Sequence, residues 1–297
     1  MARRQWTGVG TALVTPFTAD GSLDEAAITA LAKRQADAGV HFVSPCGTTG
    51  EAPTLSSDEK VRITELVVEA VGGRVPVLAG AGGYNTREVV ELVHRMEKAG
   101  ANGILSVTPY YNKPTPEGML EHYKAVAGAT SLPVVLYNVP GRTGVNVDVA
   151  TLVKIAAACP NIVAVKEASG NMPQMVEICA NVPEGFIVLS GDDALTLPLL
   201  SVGGHGIISV ASNEVPAEMA RMVEAAERND WATARALHNR LLPLMNVNFI
   251  EANPGPAKAA MAAMGLLGEH YRLPIVSPRP ASRERILGVL RTLQLVS

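Results

Sequence analysis

"VGTALVTPFTADGSLDEAAITALAKRQADAGVHFVS", residues 9–44, reads as one complete strand–helix–strand unit. Apolar and β-branched residues fill Val9–Thr15 and return at His41–Ser44. Between them Leu23, Ala27, Leu31 and Ala38 recur at helical spacing, which predicts a helix over Asp24–Ala38, and Gly39 stops the run. The two strands show no two-residue alternation of apolar and polar side chains, as expected for parallel strands covered on both faces.

The same alternation continues outward from this unit. Further strands are predicted over Val75–Ala79, Gly103–Val107, Val134–Asn138, Ile162–Lys166, Phe186–Ser190 and Gly206–Val210. Helices are predicted over Ser57–Val71, Thr86–Ala99, Pro116–Ala129, Asp148–Ala157, Met172–Val182, Ala194–Val202 and Pro216–Arg228. Eight strand–helix units in roughly 230 residues match a (β/α)₈ barrel, which typically takes ~250. The competing architecture is an open doubly wound sheet, because local pattern does not show closure. A glycine fingerprint for phosphate would favour that sheet, but "AGAGGYN" (79–85) lacks the G-x-G-x-x-G spacing. After Asn229 the alternation ceases, and the rest reads as helices interrupted at Pro243 and at the Pro254/Pro256 turn. The expected organisation is an α/β TIM barrel over residues 1–229 and a C-terminal helical region over 230–297.

Composition narrows the function classes. The 297 residues are 47% hydrophobic and 18% charged, a balance suited to a globular fold with a substantial core. A net charge of -3 argues against a nucleic-acid binder or a partner of anionic membranes. The opening "MARRQWTGVG" has two arginines with no apolar run behind them, so no signal peptide is expected, and no stretch reaches membrane-span length. Cys46, Cys159 and Cys179 are odd in number and lack C-x-x-C spacing, which fits a cytoplasmic protein without structural zinc. The six histidines are scattered without metal-ligand spacing, so no metal is expected. In "GDD" (191–193), Asp192 and Asp193 are read as caps of the following helix.

In a barrel, function sits on the loops after the strands' C-terminal ends. Those loops carry "PCGTTGE", "TPYYNKP", "YNVPGRTG", "SGDD" and "SVASNE", and three of the six tyrosines, Tyr110, Tyr111 and Tyr137, lie there. "IVAVKEASG" (162–170) adds Lys166 at the end of a buried strand. One reading of Lys166 is a snorkelling side chain with its head in water. The other is an amine held away from water, where the neutral form gains and attack on a carbonyl becomes possible. The polar rim around it favours the second. "GTTGE" (47–51) can present converging backbone N–H groups and the Thr48 and Thr49 hydroxyls to a carboxylate, or be an ordinary turn that caps a helix. Tyr110 and Tyr111, if extended, point opposite ways and cannot share one pocket. Arg142 in its Gly-rich turn offers a fork for a second carboxylate.

"GTALVTPF", "GTTGE", "PYYNKP", "YNVPGRTG", "VKEASG", "GGHGIISV" and "NPGPAK" together resemble the pyruvate-dependent class I aldolases of the N-acetylneuraminate lyase superfamily, over nearly the whole chain. The resemblance implies a (β/α)₈ barrel with a helical C-terminal region, and a homotetramer built from two tight dimers. It implies Lys166 as the Schiff-base lysine, with Tyr137, Thr48 and a partner subunit's Tyr111 as a proton relay. Thr49 and Ile208 would contact pyruvate, with the Gly191 carbonyl nearby, and no cofactor beyond the covalent imine would be needed. Arg142 points to the branch that condenses pyruvate with L-aspartate 4-semialdehyde in lysine and diaminopimelate biosynthesis. The alternative is another member, such as a sialic-acid or 2-keto-3-deoxy sugar acid lyase. In lysine-inhibited relatives a cleft at the tight-dimer interface binds lysine, and its counterparts here are Ala52, Pro53, Ser57, Lys60, Tyr84, Glu88 and Tyr110. Ser57 and Lys60 stand where sensitive members carry histidine, and Tyr84 replaces an asparagine, so weak or absent inhibition is expected.

Overall fold

Eight parallel strands follow one another round a barrel in the computed structural model, which describes residues 5–297. They are β1 (Gly8–Ala12), β2 (Phe42–Ser44), β3 (Leu78–Gly80), β4 (Gly103–Val107), β5 (Val134–Asn138), β6 (Ile162–Glu167), β7 (Ile187–Ser190) and β8 (Gly206–Ser209). The hydrogen-bonded order runs β2-β1-β8-β7-β6-β5-β4-β3. The remaining gap between β2 and β3 is bridged by a parallel Val43–Val77 pair, with Ser44 Oγ donating to the Leu78 carbonyl at 2.9 Å. The barrel reading holds, and the open sheet falls away.

The helices between strands are α1 (Glu25–Asp37), α2 (Ser57–Val71), α3 (Thr86–Lys98), α4 (Pro116–Gly128), a short α5 (Pro140–Thr143), α6 (Val149–Ala158), α7 (Met172–Asn181), α8 (Thr196–Ser201) and α9 (Pro216–Glu227). Their starts follow local chemistry. Asp24 caps α1 by accepting from the Ala27 amide, and Ser56 and Glu59 form a reciprocal capping box on α2. On α1 the buried side chains are Ile28, Leu31, Ala32 and Gln35, one stripe of the helix. Inside the barrel, Phe42, Leu78, Leu105, Val135, Ala164 and Leu189 form a packed core rather than a pore. Its floor is closed by Trp6 edge-on to Phe42, ring centroids 5.4 Å apart.

Three local expectations are corrected. The third ladder spans Leu78–Gly80 rather than Val75–Ala79. Pro76 has no N–H to give, and Gly80 fits there because a Cβ would sit 2.1 Å from the Cys46 carbonyl oxygen. Pro243 does not interrupt its helix: α10 runs from Trp231 to Val247 through it. The proline faces solvent, where water can serve the freed carbonyl, while Leu237, Leu241, Leu244 and Met245 hold the other face in the core. Asp192 caps the turn after β7, as expected, but Asp193 turns inward and accepts from Ser209 Oγ and the Val210 and Ala211 amides.

Beyond α10 come α11 (Gly255–Ala263) and α12 (Pro280–Thr292). Leu241, Leu244, Ile286 and Leu290 join Val9, Ile207 and Met219 of the barrel in one apolar cluster, so this region is packed on the barrel wall. Among the described residues no helix is long and apolar enough to cross a membrane.

Candidate active site

Strands β5 and β6 pair in parallel with a bulge at Val163, beyond which Tyr137 lies opposite Lys166 and Asn138 opposite Glu167. Alternation along each strand sends successive pairs to opposite faces, so Tyr137 and Lys166 share one face and Asn138 and Glu167 the other. Glu167 is held by Asn138 Nδ2 at 2.9 Å and by the Ser169 amide at 2.8 Å. Lys166 is 5% exposed, and its Nζ lies 4.1 Å from the centroid of the Tyr137 ring. Among the described residues no carboxylate lies within ion-pair distance of it. The chain's other deeply buried lysine behaves differently: Lys258 Nζ sits 2.6 Å from Glu51 Oε1.

Gly191, after β7, presses on the stem of this lysine. A Cβ at Gly191 would come within 2.5 Å of the Ala168 Cβ and 3.1 Å of Lys166 Cε, so only glycine lets the two loops close there. Ile208 of β8 is buried in the same interior cluster as Tyr137. The 47–51 turn bonds to itself through Glu51 N–H to the Thr48 carbonyl and Ala52 N–H to the Gly47 carbonyl. Among the described residues the Thr48 and Thr49 amides make no backbone bond, which leaves them able to serve an anion. That observation favours the nest over the ordinary cap.

A cavity of about 230 Å³ opens at this rim, and Thr48, Tyr137, Arg142, Lys60, Tyr110 and Cys46 contribute to its lining. Thr49 lies behind it, buried, with its Oγ1 accepting from Asn253 Nδ2 at 3.0 Å. Arg142 lies on α5 and donates through Nη2 to the Asn253 carbonyl at 3.4 Å, leaving most of its donors free. Burial pushes the Cys46 thiol up to about 12, so it is a neutral packing group and no thiolate nucleophile. Burial also holds the Lys60 ammonium below its ordinary range.

Of the residues expected at the site, Thr48, Tyr137 and Arg142 line the cavity. Lys166 does not line it but lies against the Tyr137 ring, with Gly191 against its stem and Ile208 in the same interior cluster as Tyr137, and Tyr111 stands apart from all of them. Tyr111 is 89% exposed with φ 69°, in a turn closed by Asn112 N–H to the Tyr110 carbonyl rather than in an extended segment. Tyr110 goes the other way and packs edge-on against Tyr84, centroids 5.4 Å apart. Sequence reasoning missed Asn253, which touches both Thr49 and Arg142, and the buried Glu51–Lys258 pair. The signal available was "NPGPAK" (253–258), where two prolines and a glycine break the helical pattern between Asn253 and Lys258.

The model of the dihydrodipicolinate synthetase family matches residues 5–292. The chain belongs to that family. It is 56% identical to the 4-hydroxy-tetrahydrodipicolinate synthase of Koribacter versatilis over 280 residues, covering 94% of this chain and 93% of that protein. It is 48% identical to the enzyme of the same name from Chlorobium phaeobacteroides over the full length of both. The crystal structure of dihydrodipicolinate synthase from Aquifex aeolicus superposes with a TM-score of 0.96 at 42% identity, covering 98% of this chain and 99% of that one. As a member of the dihydrodipicolinate synthetase family the chain is an enzyme, a lyase on a TIM barrel.

Proposed function

We propose that this enzyme is a 4-hydroxy-tetrahydrodipicolinate synthase, condensing pyruvate with L-aspartate 4-semialdehyde for lysine and diaminopimelate biosynthesis. The observation that carries the chemistry is Lys166: a buried lysine at a strand end, against the Tyr137 ring and, among the described residues, without a carboxylate in ion-pair distance. Such an amine is suited to attack a ketone.

In this reading the free amine of Lys166 adds to C2 of pyruvate, and proton transfers expel the ketone oxygen as water to leave an imine. The protonated imine draws electrons from the methyl group, whose proton leaves to give an enamine. The enamine carbon attacks the aldehyde of the semialdehyde, forming the new C–C bond while the aldehyde oxygen takes up a proton. The semialdehyde's own amine then adds to the imine carbon, and Lys166 departs as free amine as the ring closes. One water leaves overall. The imine is itself the electron sink, so no cofactor enters the scheme.

Tyr137, Thr48 and a second copy's Tyr111 carry the protons in this scheme. A free tyrosine ionises near ~10, so a chain of hydroxyls that pass protons suits neutral pH better than a standing phenolate. Thr49, Ile208 and Gly191 shape the pyruvate end, and Arg142 takes the semialdehyde carboxylate at the mouth. The exposure of Tyr111 supports a homo-oligomer, with a tight dimer as the catalytic unit and a tetramer as its dimer. The catalytic barrel runs to residue 229, its first four residues lying outside the described ones, and 230–297 are its helical extension, working in the cytoplasm. The test is borohydride reduction in the presence of pyruvate, followed by mass mapping. A three-carbon adduct on Lys166 together with turnover of the semialdehyde supports the reading, and a sugar-acid cleavage activity in its place overturns it.

A further inference from the structure

Behind the 47–51 turn lies a second polar cluster, no member of which lines the cavity. Lys258 of α11 and Glu51 have fully buried side chains, with Nζ 2.6 Å from Oε1. Nζ also donates to the Thr15 carbonyl at 3.0 Å and faces the rings of Phe17 at 4.5 Å and Tyr271 at 5.1 Å. The other Glu51 oxygen accepts from the Arg272 amide at 3.3 Å, while the Arg272 guanidinium is engaged by Glu59.

A buried ion pair adds little net stability over an apolar pair of the same size. What its charges add is direction, and here the direction matters. Glu51 sits at φ 52°, in the left-handed region, and its own amide closes the turn onto the Thr48 carbonyl. One residue earlier, the Gly50 carbonyl accepts from Thr15 Oγ1 at 2.7 Å, and Thr15 is the residue whose carbonyl receives Lys258. Two residues earlier, Thr49 is held by Asn253, which lies just before α11 and five positions before Lys258. Three consecutive residues of the turn are thus fixed from behind, two of them through Lys258.

We propose that Lys258 is a positioning residue for the 2-oxoacid site: through Glu51 and Thr15 it sets the Thr48 and Thr49 amides and hydroxyls without touching substrate. The inference rests on the pyruvate-binding role proposed above for that turn. Its signature is a loss of pyruvate affinity separable from a loss of folding.

The experiment compares the full-length wild type, Lys258→Met and the Glu51→Gln/Lys258→Met double variant. Melting temperature, KM for pyruvate, kcat and borohydride trapping against pyruvate concentration are read for each. Lys258→Met leaves a buried carboxylate without its partner, and both melting temperature and pyruvate affinity should fall. The double variant removes both charges, so its melting temperature should recover towards wild type while KM for pyruvate stays raised about tenfold or more. Lys166 should still be trapped in it at saturating pyruvate. Because the double variant leaves no buried charge unpaired, it carries the test if the single variant does not fold. A double variant whose KM returns to wild type along with its melting temperature makes the pair merely structural and overturns the proposal. A wild type that forms no adduct on Lys166 overturns the functional reading and this inference with it. A normal wild-type adduct with unchanged KM in the variants overturns this inference alone.

Discussion

Tyr137 and Lys166 face each other across β5 and β6, with the lysine Nζ 4.1 Å from the ring centroid. Register sets this pairing: a slip of one residue would put Glu167 beside Tyr137 and turn the lysine into the barrel wall. The amine and the hydroxyl-bearing ring are thus placed by two paired strands, with Ile208 on β8, Arg142 on α5 and the other groups on loops. Placement on strands suits groups whose geometry tolerates little error.

Lys166→Arg keeps a cation but removes the nucleophile, since a guanidinium stays protonated. The variant should fold, lose the pyruvate adduct under borohydride and lose turnover. Intact-mass and peptide analysis checks this. An adduct on another lysine, or full activity in the variant, would mean that Lys166 is not the imine site.

Tyr111 stands 89% exposed on its own chain, and the relay proposed above draws this hydroxyl from a second copy. Tyr111→Phe should lower kcat more than it weakens pyruvate binding, because it interrupts proton passage and leaves the carboxylate site alone. Mixing Tyr111→Phe and Lys166→Ala subunits under exchanging conditions should restore part of the activity. No recovery after proven exchange would place each site within one chain.

Arg142 lines the cavity and spends one weak donor on the Asn253 carbonyl. Losing a charge-assisted contact to a substrate carboxylate costs ~1.5–3 kcal/mol, about ten- to a hundredfold in affinity. Arg142→Ala should therefore raise the KM for the semialdehyde by roughly that factor, while imine formation with pyruvate survives. Unchanged semialdehyde kinetics would point to a different second substrate.

How much of this the sequence discloses depends on the range of the interaction. Lys166 is visible because four apolar residues lead straight to it, and the barrel because strand and helix patterns repeat with local caps. Gly80 as a strand residue is not visible, since its need for a missing Cβ comes from Cys46 on the neighbouring strand's loop. Pro243 misleads, because burial of the opposite helix face outweighs its local cost. The Glu51–Lys258 pair joins residues 207 positions apart, beyond any spacing rule. Asp193 looks like a cap until Ser209 of β8 and the Val210 and Ala211 amides just after it supply three donors to its carboxylate.

His122 on α4 gives a stability prediction with a sign. Its Nδ1 meets Thr86 Oγ1 at 2.9 Å, its Nε2 is buried with no partner among the described residues, and burial holds its pKa down to about 4. The unfolded chain, with an ordinary imidazole near ~6.5, binds this proton more readily than the folded one. Stability from this group is therefore present above about pH 6.5 and lost as pH falls towards 4, by up to ~3 kcal/mol. Urea midpoints at fixed protein concentration should drop across that window, and His122→Gln should flatten the drop. An equal slope in the variant would assign the effect to other groups.

Free lysine should inhibit weakly or not at all. Of the positions read as the inhibitory cleft, Ala52, Pro53, Lys60 and Tyr110 line the cavity. Lys60 puts a cation there, and it repels both ammonium groups of the ligand more strongly in a confined, partly dry space than it would in water. Tyr84 lies edge-on over Tyr110, adding bulk beside the ring that would flank the ligand's stem. Glu88, the acidic group suited to a lysine ammonium, is already engaged by Asn85 Nδ2 at 2.7 Å. One attraction, between Lys60 and the ligand carboxylate, is set against these three obstacles. Millimolar lysine should leave the initial rate unchanged and give no heat of binding in calorimetry. Micromolar binding with matching loss of activity would show that the cleft adapts around Lys60 and Tyr84, and the prediction would fail.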